Sequence, residues 1–341
     1  MAMTHPPEPI AHGGALSEAI AKHGGEPSQW LDLSTGISPF SLPLPELAKN
    51  MWRRLPEMAE ASRVGEKAMK YYGGSVLPLA VPGTQAAIQL LPFLRPDTGE
   101  VAIVSPTYGE YEKSFRRAGI EVDLVSTLDA AAATRAGIVV LANPNNPDGR
   151  ETMRDDVFGF VRTQRHRLVI VDEAFADLRR DLSMVGAAGM EPNLIVLRSF
   201  GKFFGLAGLR LGFVFAEPGL NRILADRIGP WAVSGPALAI ADHAFSRMDL
   251  VSELRERIDK AHGQTRSALN MAGVSIVGET PLFFCCEVGD GEEVRDALAS
   301  HQVLVRSFEH SPSHIRIGLV PDDLSAVRLR ETLRLVLPRS A

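Results

Sequence analysis

Short apolar segments alternate with helix-length segments through the middle of the chain. Five segments rich in Val, Ile and Leu follow one another, at 101–106, 137–144, 168–175, 194–200 and 209–216. The earlier segments do not alternate with polar residues, which is typical of strands buried on both faces of a sheet. Between two of them, RDDVFGFVRTQRH places Val157, Phe160 and Val161 at helical spacing. This alternation predicts an α/β fold with a large domain, in which helices flank a mostly parallel central sheet.

The pattern changes near residue 236. A long helical segment closed by Gly273 is followed by short strands, a helix near 292–300, the strands VLVRSF and HIRIGLV, and a last helix from about 322. These elements predict a smaller α+β domain. We therefore expect an N-terminal arm over 1–45 that joins the small domain, a large domain over 46–235, and the small domain over 236–341.

Polar residues follow the C-terminal ends of four predicted strands. SPTYGEY follows the first strand, NPNNPDGR follows the second, Asp172 and Glu173 end the third, and Ser199 and Lys202 follow the fourth. Asn-Pro and Pro-Asp-Gly are ordinary turn sequences by themselves. Ligands of open α/β sheets bind beyond the carboxyl ends of the strands, so the joint placement predicts a site at that edge.

An earlier segment, AVPGTQAAIQLLPFL, combines a glycine turn with a predicted helix whose apolar face holds Ala87, Leu90, Leu91 and Leu94. The first turn of that helix offers backbone N–H groups at Thr84 and Gln85, together with a hydroxyl. Such a turn suits a phosphate group. An ordinary capped helix start is the alternative.

The segment RSFGKFFGLAGLRLGF holds one lysine, Lys202, among apolar residues and glycines. Partial burial lowers the pKa of a lysine, and a lysine tuned in this way attacks carbonyl groups and forms imines. By itself Lys202 could equally be a surface residue with a buried stem, and Asp172 could be a helix cap. Together with their neighbours, however, they match a cofactor that carries an aldehyde, a pyridine ring and a phosphate. The matching side chains are Lys202 for the imine, Asp172 for the ring nitrogen, Asn146 near the ring oxygen, Tyr108 as an aromatic lid, and Thr84, Gln85, Ser199 and Arg210 as a phosphate cup.

Composition and charge narrow the class of protein. The chain has 341 residues, a formal net charge of −5 and 45% hydrophobic residues, which fits an ordinary globular protein. No basic face is implied, so we expect no nucleic-acid partner. No apolar run reaches about 18 residues, so no membrane partner is expected either, and the N-terminus lacks a secretory pattern. The adjacent Cys285 and Cys286 cannot form a disulfide framework or a metal knuckle, so we expect two buried strand cysteines, no metal and a cytoplasmic location.

Three motifs together, NPNNPDG, VDEAF and SFGKFFGLAGLRLG, resemble the fold-type-I pyridoxal-phosphate enzymes of the aspartate aminotransferase superfamily. Within it the chain is similar to the branch that holds histidinol-phosphate aminotransferases and L-threonine-O-3-phosphate decarboxylases. The AHGG arm followed by DLSTGISPF, and GPWAVSGPALA at 229–239, resemble the decarboxylases. So does Phe175, where aminotransferases of this branch usually carry a tyrosine whose hydroxyl reaches the ring oxygen.

The resemblance implies pyridoxal 5′-phosphate as cofactor and a homodimer with each site near the subunit boundary. Lys202 would form the Schiff base, Asp172 would hold the pyridinium proton and Tyr108 would stack on the ring. The implied cofactor set is Gly83, Thr84, Gln85, Tyr108, Asn146, Asp172, Phe175, Ser199, Lys202 and Arg210. For the substrate, Arg316 matches the arginine that binds the carboxylate in aminotransferases, although a surface arginine is the alternative. His12, Gly13, Asn146 and Arg306 complete the implied substrate set, with His12 and Arg306 as candidates for a substrate phosphate.

The chain also departs from the family pattern. Leu55, in RRLPEM, stands where the family has a tyrosine that the partner subunit donates to the cofactor phosphate. Either the register differs at this point, or one phosphate contact is missing. NPDGR replaces the usual Asn-Pro-Thr-Gly, and Val-Pro-Gly-Thr-Gln replaces the Gly-Asn-Gly often seen at the helix start.

Three functions remain open from the sequence. The first is decarboxylation of L-threonine O-3-phosphate, a phosphorylated amino acid, for cobalamin biosynthesis. The second is transamination of histidinol phosphate or of an aromatic amino acid. The third is a cofactor-binding regulator without turnover, which we disfavour because such regulators carry a DNA-binding domain ahead of the enzyme-like part and only a short, non-basic arm is expected here.

Overall fold

A seven-stranded sheet forms the centre of the large domain in the computed structural model, which describes residues 13–95, 97 and 99–337. Its strands are β2 (Leu79–Val81), β3 (Glu100–Val104), β4 (Glu121–Val125), β5 (Ile138–Ala142), β6 (Leu168–Asp172), β7 (Leu194–Ser199) and β8 (Gly212–Phe215). They lie in the order β2-β8-β7-β6-β5-β3-β4. The five strands β7, β6, β5, β3 and β4, which are adjacent in that order, are parallel to one another. Strand β8 is antiparallel to both of its neighbours, β7 and β2. The mostly parallel central sheet is therefore confirmed.

The central strand β6 shows why the apolar segments lack alternation. Val169 and Val171 pack into one hydrophobic core, and Leu168 and Ile170 pack into a second core on the other face of the sheet. Successive side chains of a strand point to opposite faces, so burial of both faces requires a continuous apolar run. The sequence pattern missed the two edge strands, because β2 is only three residues long and β4 contains charged and partly exposed residues.

Helices flank the central sheet and also form part of the N-terminal arm and the small domain. They are α1 (Leu16–His23), α2 (Met58–Tyr72), α3 (Thr84–Ile88), α4 (Glu110–Arg117), α5 (Leu128–Ala133), α6 (Arg154–Thr163), α7 (Phe200–Phe203), α8 (Pro218–Ile228), α9 (Gly235–Ser246), α10 (Met248–Met271), α11 (Gly291–Ser300) and α12 (Asp323–Val336). The predicted apolar face of α6 is buried through Val157, Phe160 and Val161. Within the described residues, no helix is long and apolar enough to cross a membrane.

The helix predicted after Gly83 is shorter than its apolar spacing suggests. It ends at Ile88, and a 3-10 turn over Leu91–Leu94 follows it. Pro92 lies in that turn and has no N–H to donate, so an α-helix cannot continue with regular hydrogen bonds. The apolar residues Ala87, Leu91 and Leu94 are nevertheless buried.

The small domain contains a four-stranded antiparallel sheet in the order β12-β13-β10-β9. Its strands are β9 (Ser275–Thr280), β10 (Phe283–Glu287), β12 (Arg306–Ser307) and β13 (His314–Gly318). The predicted smaller α+β domain is confirmed. Cys285 and Cys286 lie in β10, where both are buried free thiols, as expected.

The N-terminal arm is tied to both parts of the molecule. Its strand β1 (Leu31–Asp32) pairs in parallel with β11 (Val303–Leu304) of the small domain. A few residues later the Ser38 N–H donates to the backbone carbonyl of Lys202 (2.9 Å). The domain boundary near 235 stays a prediction. The helix α9, on the small-domain side of it, packs Phe245 against Tyr71 of α2, with ring centroids 4.9 Å apart.

A buried ion-pair cluster lies beneath the sheet edge that carries the predicted site. The Arg198 guanidinium donates to Glu173 Oε2 (2.9 Å) and lies 3.0 Å from Asp177 Oδ2. The three side chains are at most 3% exposed. Glu173 also accepts hydrogen bonds from Ser183 and from the Met184 N–H. Burial raises the pKa of both carboxyl groups, and the charge of Arg198 is the main influence that lowers it again.

We predict that Arg198→Met lowers the free energy of unfolding by about 3–5 kcal/mol at neutral pH, because it leaves two buried carboxylates without their cation. Without Arg198, burial holds the pKa of both carboxyls further above the unfolded-state values. The folded variant then takes up protons, so its deficit shrinks as the pH falls. Urea unfolding of wild type and variant at several pH values measures this.

Arg247→Met is the matched control, since it removes an exposed ion pair with Asp249. We expect no measurable shift of its urea midpoint. An Arg198→Met protein as stable as this control, or a deficit that does not change with pH, would contradict the prediction.

Candidate active site

A cavity of about 240 Å³ opens beyond the carboxyl ends of β5, β6 and β7, where the sequence predicts the site. The structure brings most of the predicted site residues to its wall: Gly13, Gly83, Thr84, Gln85, Tyr108, Asn146, Asp172, Phe175, Ser199, Lys202, Arg210 and Arg316. Arg306 lines an adjoining cavity. His12 lies outside the described residues. The individual roles of these side chains stay predictions.

Asp172 ends β6 as a buried carboxylate with both oxygens fixed. The Ala174 N–H donates to Oδ1 (3.0 Å), and the Tyr111 hydroxyl donates to Oδ2 (2.7 Å). Burial raises the pKa of Asp172, and these two hydrogen bonds, followed by the charges of Lys202 and Arg198, act in the opposite direction. A carboxylate held in this way can bind a protonated ring nitrogen, since it retains lone pairs for a further donor.

Lys202 lies in α7, a single helical turn that follows β7 directly. The neighbouring Phe200 and Phe203 are fully buried and anchor this turn in the core. The Lys202 amine lies 5.7 Å from the ring centroid of Phe175. Burial, with the charges of Arg316 and Arg210 against that of Asp172, lowers the pKa of Lys202 to about 8. At pH 7 about one tenth of such an amine is neutral, far more than of an ordinary lysine with a pKa of about 10.4, so it is a better nucleophile.

The predicted phosphate cup lies around the start of α3. Gly83 precedes the helix with a φ of 77°, a conformation that favours glycine. A Cβ at Gly83 would lie 2.7 Å from Arg210 Nη2, so the Arg210 guanidinium lies directly against this turn. Since the first N–H groups of a helix have no intrahelical partner, this turn and the Arg210 guanidinium present donors to the same space.

Tyr108 and Gln85 form a hydrogen-bonded pair at the cavity wall. The Tyr108 hydroxyl donates to Gln85 Oε1 (3.2 Å), and Gln85 Nε2 donates to Glu110 Oε2 (2.6 Å). Burial raises the pKa of Tyr108 to about 12, so its hydroxyl stays protonated. The Gln85 side chain is thus engaged with Tyr108 and Glu110, which leaves its backbone N–H for the predicted phosphate contact.

Arg316, in β13, reaches across from the small domain to the predicted ring-oxygen donor. Its guanidinium donates to Asn146 Oδ1 and to the Ser34 carbonyl oxygen (2.9 Å). Arg316 is 7% exposed, and no carboxylate of the described residues forms an ion pair with it. Burial and the charge of Arg306 lower its pKa to about 10. A buried cation of this kind is suited to an anionic ligand.

A second cavity of about 580 Å³ adjoins the first and shares Gly13, Tyr108, Asn146 and Arg316 with it. It contains Arg306, which lies directly opposite Arg316 in the antiparallel pairing of β12 with β13. Like charges directly opposite each other in a sheet are unfavourable. The second cavity is also lined by Glu292, Glu293, Glu309, Arg295 and His310.

Some site residues were missed or lie elsewhere. Tyr111 was not singled out from the sequence, although its position three residues after Tyr108 at a helix start could have indicated it. Leu55 is 63% exposed in the loop before α2 and does not line the cavity of its own chain. Within residues 13–95, 97 and 99–337, no group of three or more His, Cys, Asp or Glu residues could hold a metal ion.

Comparisons with known proteins agree with this geometry. The family model described as aminotransferase class I and II matches residues 29–329. A threonine-phosphate decarboxylase from Sinorhizobium sp is 44% identical over 95% of this chain and 98% of its own length. A threonine-phosphate decarboxylase from Pseudomonas aeruginosa is 38% identical over 95% and 97%. The solved structure of a histidinol-phosphate aminotransferase from Sinorhizobium meliloti, in complex with pyridoxal-5′-phosphate, superposes with a TM-score of 0.83 at 21% identity over 98% of both chains.

We predict that pyridoxal 5′-phosphate attaches to cofactor-free protein at Lys202, with a rate that is half-maximal near pH 8, because the pKa of Lys202 is lowered to about 8. An ordinary lysine, with a pKa of about 10.4, would react mainly at higher pH. Borohydride reduction at each pH, followed by peptide mass mapping, measures the attachment.

Lys202→Arg keeps the positive charge but should abolish the yellow absorbance and the labelled peptide. Lys67→Arg, which alters a partly exposed lysine paired with Asp242, is the control and should label as wild type does. Labelling of another lysine in wild type, or a midpoint near pH 10, would refute the assignment.

Proposed function

Because the chain belongs to the class I and II aminotransferase family, we propose that it decarboxylates L-threonine O-3-phosphate to (R)-1-aminopropan-2-ol O-phosphate with pyridoxal 5′-phosphate. The observation that carries the proposal is near-full-length identity of 44% and 38% to two threonine-phosphate decarboxylases. The reaction makes the chain a lyase, and its product would serve cobalamin biosynthesis. The alternative is an aminotransferase that acts on histidinol phosphate or an aromatic amino acid, which the family as a whole favours.

The cavity fits pyridoxal 5′-phosphate through donors and charges at complementary places. Asp172 supplies a buried carboxylate for the ring nitrogen, and the glycine turn at Gly83 beside Arg210 supplies donors for the phosphate. Lys202 supplies the amine for the aldehyde. When bound, the cofactor provides a protonated ring that accepts the electron pair left when the substrate loses its carboxylate.

The side chains around the ring each have a separate task. The Asp172 carboxylate keeps the ring nitrogen protonated through a charge-assisted hydrogen bond. Tyr108 covers one face of the ring. Because Asn146 Oδ1 accepts from Arg316, its Nδ2 amide is the group left to donate to the ring oxygen. Phe175 packs edge-on to Phe283, with centroids 5.0 Å apart, and brings no hydroxyl to that oxygen.

Substrate recognition depends on the two arginines of the small domain. Arg306 and Arg316 are opposite each other on neighbouring strands, so a substrate with two anionic groups would offset their mutual repulsion. L-threonine O-3-phosphate has a carboxylate and a phosphate. Contacts of these arginines to the remote phosphate would fix the rotation of the substrate and so favour loss of the carboxylate.

We predict that carbon dioxide is released much faster from L-threonine O-3-phosphate than from L-threonine. Arg306→Gln should raise KM for the phosphorylated substrate by about tenfold or more, the loss expected for a contact with a charged group. It should change the slow reaction of L-threonine little. Assays of released carbon dioxide with both substrates measure this.

Arg334→Gln, an exposed arginine of α12 outside both cavities, is the control and should behave as wild type. Equal rates with both substrates, together with brisk transamination of histidinol phosphate, would transfer the assignment to the aminotransferase.

The proposed function includes a homodimer whose interface is supported by exposed apolar side chains. Several large apolar residues in the segments before the N-termini of α2 and α9, or at the start of α2, are strongly exposed: Leu44, Trp52, Leu55, Met58 and Trp231. Solvent-exposed apolar clusters are typical of protein interfaces. Leu55 lies among them, and it cannot donate a hydrogen bond as the family's tyrosine does. The donors that the structure shows at the phosphate cup, in the turn at Gly83 and at Arg210, come from the same chain.

We predict that the protein sediments as a dimer and that Leu55→Glu shifts it toward monomer, because a buried charge without a partner disfavours an apolar interface. The control is Leu324→Glu, which places the same charge on an apolar residue that is 83% exposed on α12. A wild-type monomer with full activity, or equal effects of both variants, would rule out this interface.

A further inference from the structure

Tyr111 is a completely buried tyrosine in the first turn of α4, and its hydroxyl points at Asp172. Tyr111 packs in the apolar core that contains Ile88, Phe115 and Ile170. Within the described part of the chain, its hydroxyl makes one hydrogen bond, to Asp172 Oδ2 at 2.7 Å. A hydroxyl buried in such surroundings is costly without a partner. A phenylalanine would fill the same space, so the hydroxyl is explained by its bond to Asp172.

The other groups around Asp172 differ from Tyr111 in what they can do. The Ala174 N–H fixes Oδ1 from the same chain segment. Lys202 and Arg198 act on the carboxylate through charge alone, since neither forms a hydrogen bond with it. The Tyr108 ring stands edge-on to the Tyr111 ring, with centroids 6.4 Å apart and an interplanar angle of 84°. Tyr111 thus touches both the carboxylate at the ring nitrogen and the aromatic side chain proposed to cover the ring.

We propose that Tyr111 is a positioning residue that holds the Asp172 carboxylate oriented and ionised for the ring nitrogen of the cofactor. This inference relies on the pyridoxal 5′-phosphate site of the proposed function but not on the identity of the substrate. The hydroxyl and the Ala174 N–H bind different oxygens, so together they fix the plane of the carboxylate. A carboxylate accepts about four hydrogen bonds, so lone pairs remain for the ring N–H.

Without the Tyr111 hydroxyl, burial would favour the neutral carboxylic acid. Burial is the main influence that raises the pKa of Asp172, and the Tyr111 hydrogen bond is the first of those that lower it. Burial also raises the pKa of Tyr111 well above its usual value, so the hydroxyl keeps its proton and stays a donor. A neutral Asp172 would lose the charge that stabilises a protonated ring, so both cofactor binding and the chemical step would weaken.

The test is Tyr111→Phe in the purified holoenzyme. We expect the dissociation constant of pyridoxal 5′-phosphate to rise about tenfold and kcat to fall about tenfold, the effect of losing one hydrogen bond to a charged group. KM should stay within about twofold, because Tyr111 does not touch the substrate. Absorbance titration of the cofactor-free protein with pyridoxal 5′-phosphate gives the dissociation constant and needs no substrate, and kcat is measured on the holoenzyme.

Two further variants separate positioning from general damage. In an Asp172→Asn background, Tyr111→Phe should add at most about twofold to the loss of cofactor affinity, since a residue that acts through Asp172 is coupled to it. Ser114→Ala removes another buried hydroxyl of α4, one that donates to the Ile88 carbonyl oxygen (3.0 Å). It should lower the urea midpoint to a similar extent but leave cofactor affinity and kcat unchanged.

Wild-type cofactor affinity in Tyr111→Phe, a full additional loss in the Asp172→Asn background, or the same loss of affinity in Ser114→Ala would overturn the proposal. If the wild-type protein released no carbon dioxide from L-threonine O-3-phosphate but the variants showed the expected changes in cofactor affinity, the proposed substrate would be wrong. The role of Tyr111 would still be supported.

Discussion

The buried ion pair between Glu173 and Arg198 fixes the edge of the sheet on which the candidate site is built. Glu173 directly follows Asp172 at the end of β6, and Arg198 directly precedes Ser199 at the end of β7. Their contact, extended by Asp177, joins the ends of the two strands that deliver Asp172 and Lys202 to one cavity. Because the pair is buried, removal of one partner is strongly destabilising, whereas the intact pair adds little to the net free energy of unfolding. Its main consequence is therefore geometric, since it sets where the carboxylate and the amine stand relative to each other.

The remaining walls of the cavity come from segments far apart in the chain. The loop after β5, which carries Asn146, docks directly on β9 of the small domain. Gly149 and Gly278 face that contact, and a Cβ at either position would collide with backbone of the opposite segment. This close docking holds Asn146 where Arg316 can donate to it. Gly149, in the NPDG sequence, thus lets the loop bring Asn146, the predicted ring-oxygen donor, to Arg316 of the small domain.

Two buried groups in this cavity have opposite electrostatic requirements. Lys202 must be neutral to attack a carbonyl, and desolvation, together with Arg316 and Arg210, favours that state. Asp172 must stay charged, and desolvation opposes that state, so it needs specific donors. The same low-polarity environment therefore helps the lysine and penalises the carboxylate. The hydrogen bonds from Tyr111 and Ala174 lower the pKa of Asp172 and so favour its charged form, while the apolar surroundings of Lys202 stay the same.

The amino-acid sequence by itself determined the central strands, the sheet edge that holds the cavity, and the position of Lys202 and Asp172, the candidate chemical residues, at that edge. Those features follow from local order, because a strand buried on both faces must be a continuous apolar run and its last residues must lie at one edge. Tertiary structure alone decided that Tyr111 serves Asp172, that Gln85 serves Tyr108, and that Arg306 stands opposite Arg316. It also made edge strands of the short segment β2 and the partly exposed segment β4, each of which pairs with one neighbouring strand. Each of these depends on contacts between segments distant in the chain, which no spacing along it records.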